Sequence, residues 1–191
     1  MGESFRGPAG ELLMDLILNV WPDREVVESI REIENEAEYF DAARDLLDEY
    51  IYWTNIVMCF PEDNRSPSRN EVKACRERLQ RAIYAVDPKL IIATGKTAAS
   101  ALVGKMVPIT HKRGRIFDIS VPSPPTGVAV RYPMMALLDP SYALRKGDAA
   151  QIKKKRGVTY AIMEDLRYAL SLVEELGHKV HGESLLLSDD G

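Results

Sequence analysis

YIYWTNIVMCFPEDNRSPSRNEVKAC, residues 50–75, is the stretch on which the reading of this chain turns. Tyr50, Ile51, Tyr52, Trp53, Ile56 and Val57 form an apolar, β-prone run, which predicts a strand over 50–57. That strand would deliver Asn55 and Cys59 to its C-terminal end. A loop rich in Pro, Asn, Ser and Arg follows, and then a helical segment carrying the second cysteine, Cys75. In an open α/β sheet, ligands bind where strands end, so an amide, a thiol and a basic loop gathered there mark a candidate site.

Working outward, 191 residues with 46% hydrophobic content suit one soluble domain with a real core. No uninterrupted apolar segment is long enough to span a membrane, and MGESFRGPAG at the start lacks the basic-then-apolar order of a secretory signal. An intracellular setting is expected, with the two cysteines free or metal-bound rather than a disulfide framework; simple burial as small hydrophobes is the plain alternative. The net charge of −4 is unevenly spread. Residues 23–49 hold 11 acidic and 3 basic side chains, a net −8, which leaves +4 for the remainder. The body is mildly basic behind an acidic segment.

Residues 1–10 read as a loop and Gly10–Trp21 as a helix stopped by Pro22, with Leu12, Leu13, Leu16, Ile17 and Val20 at helical spacing. Residues 23–49 read as one or two acidic amphipathic helices, either a surface insertion with a solvated face or a device that mimics or repels nucleic acid. Ser68 is placed to cap a helix over 69–86. Leu90–Thr94 is an apolar run of the kind buried in a parallel sheet, and Lys96–Val103 a short helix ending at Gly104. Further strands are expected near 116–121 and within 128–138, and a last helix over 157–176. The fold class is therefore α/β, three layers (αβα) around a short, mainly parallel sheet. Residues 1–177 form the domain, 23–49 its insertion, and 178–191 a flexible tail.

Gly95-Lys96-Thr97 after a strand invites a phosphate-loop reading, but Leu90 stands where that loop needs a glycine. Asn55 offers a donor and an acceptor side by side, which suits the edge of a pyrimidine, though a strand-end Asn also serves as a plain turn-former. Asn64, Arg65 and Arg69, and the run Lys153–Arg156, are either phosphate contacts or solvated charge.

Together these segments resemble the uracil-DNA glycosylase superfamily, in its iron–sulfur family 4 branch. Residues 2–13, GESFRGPAGELL, are similar to the family's G-x-P-F-x-G-x-A-G-x-L-L, with Ser4 in place of Pro; residues 52–59, YWTNIVMC, resemble Y-I-T-N-V-V-K-C. Pro61, Asn64-Arg65 and Pro67 fit P-x-N-R-x-P, and Glu71 to Cys75 fits E-x-x-x-C. Leu90–Leu102 resembles I-V-x-L-G-x-x-A-A-x-x-L, Arg113-Gly114 the R-G that follows, and residues 139–145, DPSYALR, the family's H-P-S-Y-L-L-R.

The resemblance implies an enzyme of base excision repair that flips uracil out of DNA and hydrolyses its N-glycosidic bond. Phe5 would stack on the uracil and Asn55 would read its edge, with Asn64, Arg65, Ser141 and Arg145 along the DNA. Cys59 and Cys75 would be two of the four thiolates of a [4Fe–4S] cluster. Three departures stand out. The family's acidic G-E-x-P-G motif, with the first strand that carries it, and the upstream C-x-x-C both lie before the point where this sequence starts. A truncated or split gene, or a misplaced start, is expected from this, with an upstream-encoded polypeptide as a possible supplier of the missing part. Third, Asp139 occupies the position of the catalytic His, which in the family donates toward the uracil O2. An ionised carboxylate cannot donate, and losing one such donor costs about 3–4 kcal/mol of barrier. Asp139 would serve only if protonated; as an N-cap before Pro140 it needs no special environment. The alternatives to an active enzyme are a catalytically impaired nucleic-acid-binding homologue and a fragment.

Overall fold

The computed structural model describes residues 4–59, 65–124, 126–146 and 157–178. Its centre is strand β3 (Ala129–Leu137), flanked by β1 (Ile91–Thr94), which pairs with it in parallel, and β2 (Ile116–Pro122), which pairs antiparallel, in the order β1-β3-β2. The class is α/β, as expected, with a small mixed sheet. β2 and β3 are joined by a short turn in which Ser123 accepts from Gly127 N–H at 2.7 Å, and so close a connection forces the antiparallel sense.

Met134, Met135, Ala136 and Leu137 are all fully buried, the pattern of a strand covered on both faces. Helices on either side do the covering. Met134 and Ala136 pack with Leu79 and Ile83 of α4 (Arg69–Val86) and Ala99 of α5 (Gly95–Val103). Leu137 packs with α1 (Pro8–Val20) and α8 (Gly157–His178), and Met135 meets Ala169 and Leu172 of α8. The period-two alternation of β3 thus decides which helix meets which side chain.

α1 starts earlier than the spacing of its leucines predicts, because Pro8 at the first turn is preset for helical φ and gives up an N–H that would go unpaired there. α4 has the expected Ser68 cap, completed as a capping box by Glu71. The acidic segment forms α2 (Arg24–Arg31) and α3 (Glu36–Asp48), capped by Asp23 and Asn35. It is not an appendage: Val27, Ile30, Ala43 and Leu47 are buried in the α1 core, and Tyr39 Oη donates to Asp15 on α1 at 2.9 Å. A short α6 (Ile109–Lys112) lies within the expected loop, and α7 (Pro140–Lys146) follows β3.

The strand expected over 50–57 is not one. Residues 51–55 have no regular structure and enter no ladder; Ile51 and Trp53 pack on the α1–α8 core and Ile56 on the α4–α5 core. A β-prone run becomes a strand only beside a partner edge, and a cavity separates this run from β1.

Arg113 and Asp165 tie β3's neighbourhood to α8. Arg113 Nη1 donates to Asp165 Oδ1 and, at 3.1 Å, to the Ala161 carbonyl. Burial pushes the Asp165 carboxyl up from its ordinary value, with Arg113 opposing that shift. Gly114 must be glycine, since a Cβ there would sit 2.5 Å from Asp165 Oδ1. Removing Arg113 strands a buried carboxylate, so Arg113→Met should lower stability by about 3 kcal/mol in chemical denaturation. The double variant Arg113→Met/Asp165→Asn should recover part of that loss.

Candidate active site

One cavity of about 1120 Å³ collects residues that are remote in sequence: Phe5, Asn55, Cys59, Thr97 and Asp139 all line it. The sheet explains the convergence. β1 and β3 run parallel, so their C-terminal ends, Thr94-Gly95 and Asp139, lie side by side. Gly95 has φ +83°, and a Cβ there would stand 3.2 Å from the Cβ and Oδ2 of Asp139. Only glycine lets the two strand ends approach in this way.

Asp139 is exposed, and its Oδ1 accepts the Ser141 N–H at 2.8 Å while its carbonyl accepts Tyr142 N–H at 2.9 Å. It therefore opens α7 as a cap. Ser141 and Arg145 lie on the first turns of that helix, with Arg145 Nη1 donating to Ser141 Oγ at 2.9 Å.

Phe5 sits at φ +62°, a conformation rarely held by a residue with a Cβ. Its ring lies 5.3 Å from that of Trp53, tilted by 53°. Arg44 of α3 packs on Trp53: its guanidinium is 5.1 Å from the ring, Nη1 donates to the Ser4 carbonyl at 2.9 Å, and Nε to Asp48 at 2.6 Å. The acidic segment thus contributes a cation that braces the aromatic wall. Gly10 completes it, since a side chain there would collide with the Phe5 carbonyl.

Asn55 is held by its backbone. Arg78 of α4 donates from Nη2 to the Asn55 carbonyl and from Nη1 to Thr54 Oγ1 at 3.1 Å. Among the described residues both hydrogen bonds at Asn55 are made by its backbone carbonyl, and its side chain lines the cavity.

The remaining expected residues are placed differently. Arg65 is locked in a two-pronged pair with Glu71, at 2.9 and 2.7 Å, and reinforces the α4 cap. Asn64 and the Lys153–Arg156 run lie outside the described residues, as does the tail from 179. Cys59 is exposed and Cys75 half-buried, and both are free. A [4Fe–4S] cluster takes four thiolates, and among the described residues no group of three or more His, Cys, Asp or Glu gathers to hold a metal. The donors of this chain alone do not fit the cluster.

Arg44 and Arg78 escaped the reading of the sequence, and Trp53 was read there only as a strand residue. The isolated arginine among the acids of 36–48 was a signal for the first, since a lone cation there needs a reason. Nothing in the spacing of 69–86 announces that Arg78 turns toward residues 54–55.

Comparison with known proteins now bears on this geometry. Residues 1–166 match the Uracil DNA glycosylase superfamily. The chain belongs to that superfamily. It is 32% identical over 130 residues to the type-4 uracil-DNA glycosylase of Thermotoga maritima, which covers 68% of this chain and 59% of that protein. It is 26% identical over 122 residues to the type-4 uracil-DNA glycosylase of Archaeoglobus fulgidus, covering 62% and 49%. A DNA polymerase of Bacillus phage SP01 shares 36% identity over 72 residues, 38% of this chain and 8% of that one. The chain thus spans about half the length of these two curated relatives. Among the described residues no helix is long and apolar enough to cross a membrane.

Two outcomes follow for this superfamily member's site. Arg78→Met should cost about 1.5–3 kcal/mol, the worth of hydrogen bonds from a charged donor, and should speed amide exchange at residues 53–57. Glu71 is the second case: its hydrogen bond from Arg65, with those from Ser68, holds its carboxyl down from 4.5 to about 2. Because the folded value is depressed, this support of α4 is complete above pH 4.5 and is lost as pH falls through about 2. The carboxyl carbon of Glu71 should titrate near 2 by NMR and move toward 4.5 in Arg65→Ala.

Proposed function

We propose that this chain recognises uracil flipped out of DNA and hydrolyses its N-glycosidic bond, at a rate limited by Asp139. The observation that carries the reading is the convergence of Phe5, Asn55 and Asp139 on one cavity at the C-terminal ends of parallel strands. The Phe5 face would stack on the base and the Asn55 amide would pair with its edge, donor to carbonyl and acceptor to N3–H. Water adds to C1′ of the deoxyribose as the C1′–N1 bond breaks. The bonding pair leaves with uracil, and the proton released by water returns to the base, giving free uracil and an abasic site.

Charge grows on the uracil oxygens during that departure, and the site must meet it with donors. Asp139 spends one oxygen on the α7 cap and offers none. This favours a second reading, a uracil-DNA-binding homologue with little excision of its own. Ser141, Arg145, Asn64 and Arg65 would follow the phosphates, Arg65 after exchanging Glu71 for a phosphate. Residues 1–177 would be the working domain and 178–191 an appended tail, acting inside the cell in base excision repair. Cys59 and Cys75 would supply two thiolates of a [4Fe–4S] cluster, the rest coming from an upstream-encoded polypeptide.

Oligonucleotides that differ by one uracil or thymine separate these readings. The chain should bind the uracil strand more tightly, and Asn55→Ala should abolish the preference by removing the reading amide. Asp139→His should raise excision about 100-fold by restoring a donor. Equal binding of the two strands, unchanged by Asn55→Ala, would sink both readings. Tight selective binding without excision, even in Asp139→His, would leave the binding homologue.

A further inference from the structure

We propose that Arg44 is the positioning residue for Phe5, so that affinity for a flipped uracil depends on a helix that does not meet the base. The inference rests on the reading of the cavity as a uracil site, and it adds a residue of α3 to that site. Arg44 lies in the acidic run 23–49, outside every segment that carries the family resemblance. Phe5 and Trp53 line the large cavity, and Arg44 is not among its lining residues. Any influence of Arg44 on a ligand there must pass through the two aromatic rings.

Arg44 is built for that task. Its side chain is 13% exposed and engages the Ser4 carbonyl next to Phe5, the Asp48 carboxylate and the Trp53 ring. A guanidinium so covered and so engaged serves the protein and does not reach for a phosphate. Its backbone is fixed as well, because Ala43 and Leu47 of the same helix are fully buried in the α1 core. Arg44 therefore reaches the loop from a rigid support. It holds at once the peptide before Phe5 and the ring beside Phe5.

The loop needs such a hold. At φ +62° Phe5 keeps a backbone conformation that persists only where its surroundings enforce it. A change of φ redirects the Cα–Cβ bond and carries the ring with it. Packing alone leaves room for that change. A space of about 40 Å³ is lined from the loop by Phe5, Arg6 and Gly7 and from α3 by Phe40, Asp41 and Arg44. The Arg6–Asp41 pair, at 3.2 Å, is exposed on both sides and adds little. Trp53 Nε1 is buried without a hydrogen-bond partner among the described residues, so ring contacts, those with Phe5 and Arg44 among them, keep the indole in place. A stacking face set before the base arrives costs no ordering when it binds. A strand whose base stays outside the cavity gains nothing from that face.

The test compares the full chain with Arg44→Met, Arg44→Lys and Ile30→Ala. Ile30→Ala removes core packing from the same acidic segment while leaving the partners of Arg44 in place, and so reports what lost stability alone does. NMR cross-relaxation between the Phe5 and Trp53 rings, whose centres are 5.3 Å apart, should be present in the free chain, lost in Arg44→Met and kept in Ile30→Ala. By anisotropy, Arg44→Met should bind a uracil oligonucleotide about tenfold more weakly, the scale of one base–aromatic stack, with binding of the matching thymine strand unchanged. Arg44→Lys keeps a cation and a donor but loses the planar fork, and should fall between. The inference is overturned if the ring contact survives in Arg44→Met, or if uracil affinity survives its loss. It is also overturned if Ile30→Ala weakens uracil binding as much as Arg44→Met does. An unaltered chain that shows the ring contact yet binds both strands alike would overturn the uracil reading itself, and this inference with it.

Discussion

Strand β3 must satisfy its backbone on both edges and its side chains on both faces at once, and most of the structure follows from that demand. Its edges are met by β1 and β2, and its faces by α4 and α5 on one side and α1 and α8 on the other. Met134 to Leu137, fully buried, tolerate no polar side chain and little change of volume. Where the strand leaves this enclosure the chain turns polar, and the first exposed residue is Asp139. The candidate site is thus the place where the most constrained element of the core reaches solvent, which is why a rigid scaffold and an exposed carboxylate are so close together.

The elements legible in the sequence are those whose signal is local. The 3.6-residue spacing of Val72, Cys75, Leu79 and Ile83 and the Ser68 cap define α4 almost to the residue. Leu90–Thr94 and residues 128–138 read correctly as strands because apolarity on both faces leaves few other options. The run 50–57 has the same composition and failed, since pairing is a property of the neighbour and not of the run. The candidate site divides in the same way. Phe5, Asn55 and Asp139 could be named through resemblance and do line one cavity. The residues that hold them, Arg44 over Trp53 and Arg78 on the carbonyl of Asn55, join segments far apart in sequence and have no period to betray them.

The acidic segment gains a plainer meaning from those contacts. Its carboxylates face solvent largely as a charged helical surface does, yet its buried face closes the α1 core and its Arg44 braces Trp53 and the Ser4 carbonyl. The strained φ of Phe5 is affordable because that brace, the Trp53 ring and the absence of a side chain at Gly10 determine the loop from three directions. A segment that looked like an insertion on charge grounds therefore shapes the aromatic wall of the cavity.

Asp139 shows how one residue can be good for the fold and poor for the chemistry. As a cap it satisfies the Ser141 N–H at the start of α7, and its Cβ fits against Gly95 where the strands converge. Under the proposed reaction, a carboxylate without a proton at this position would face a departing pyrimidine with nothing to donate. An imidazole can also accept an N–H through one nitrogen while donating through the other, so a histidine meets both demands where a carboxylate meets one. Among the described residues, the contacts of Asp139 are the α7 cap and the close approach to Gly95, so one side chain both starts the helix and fills the gap between the strand ends at the edge of the cavity.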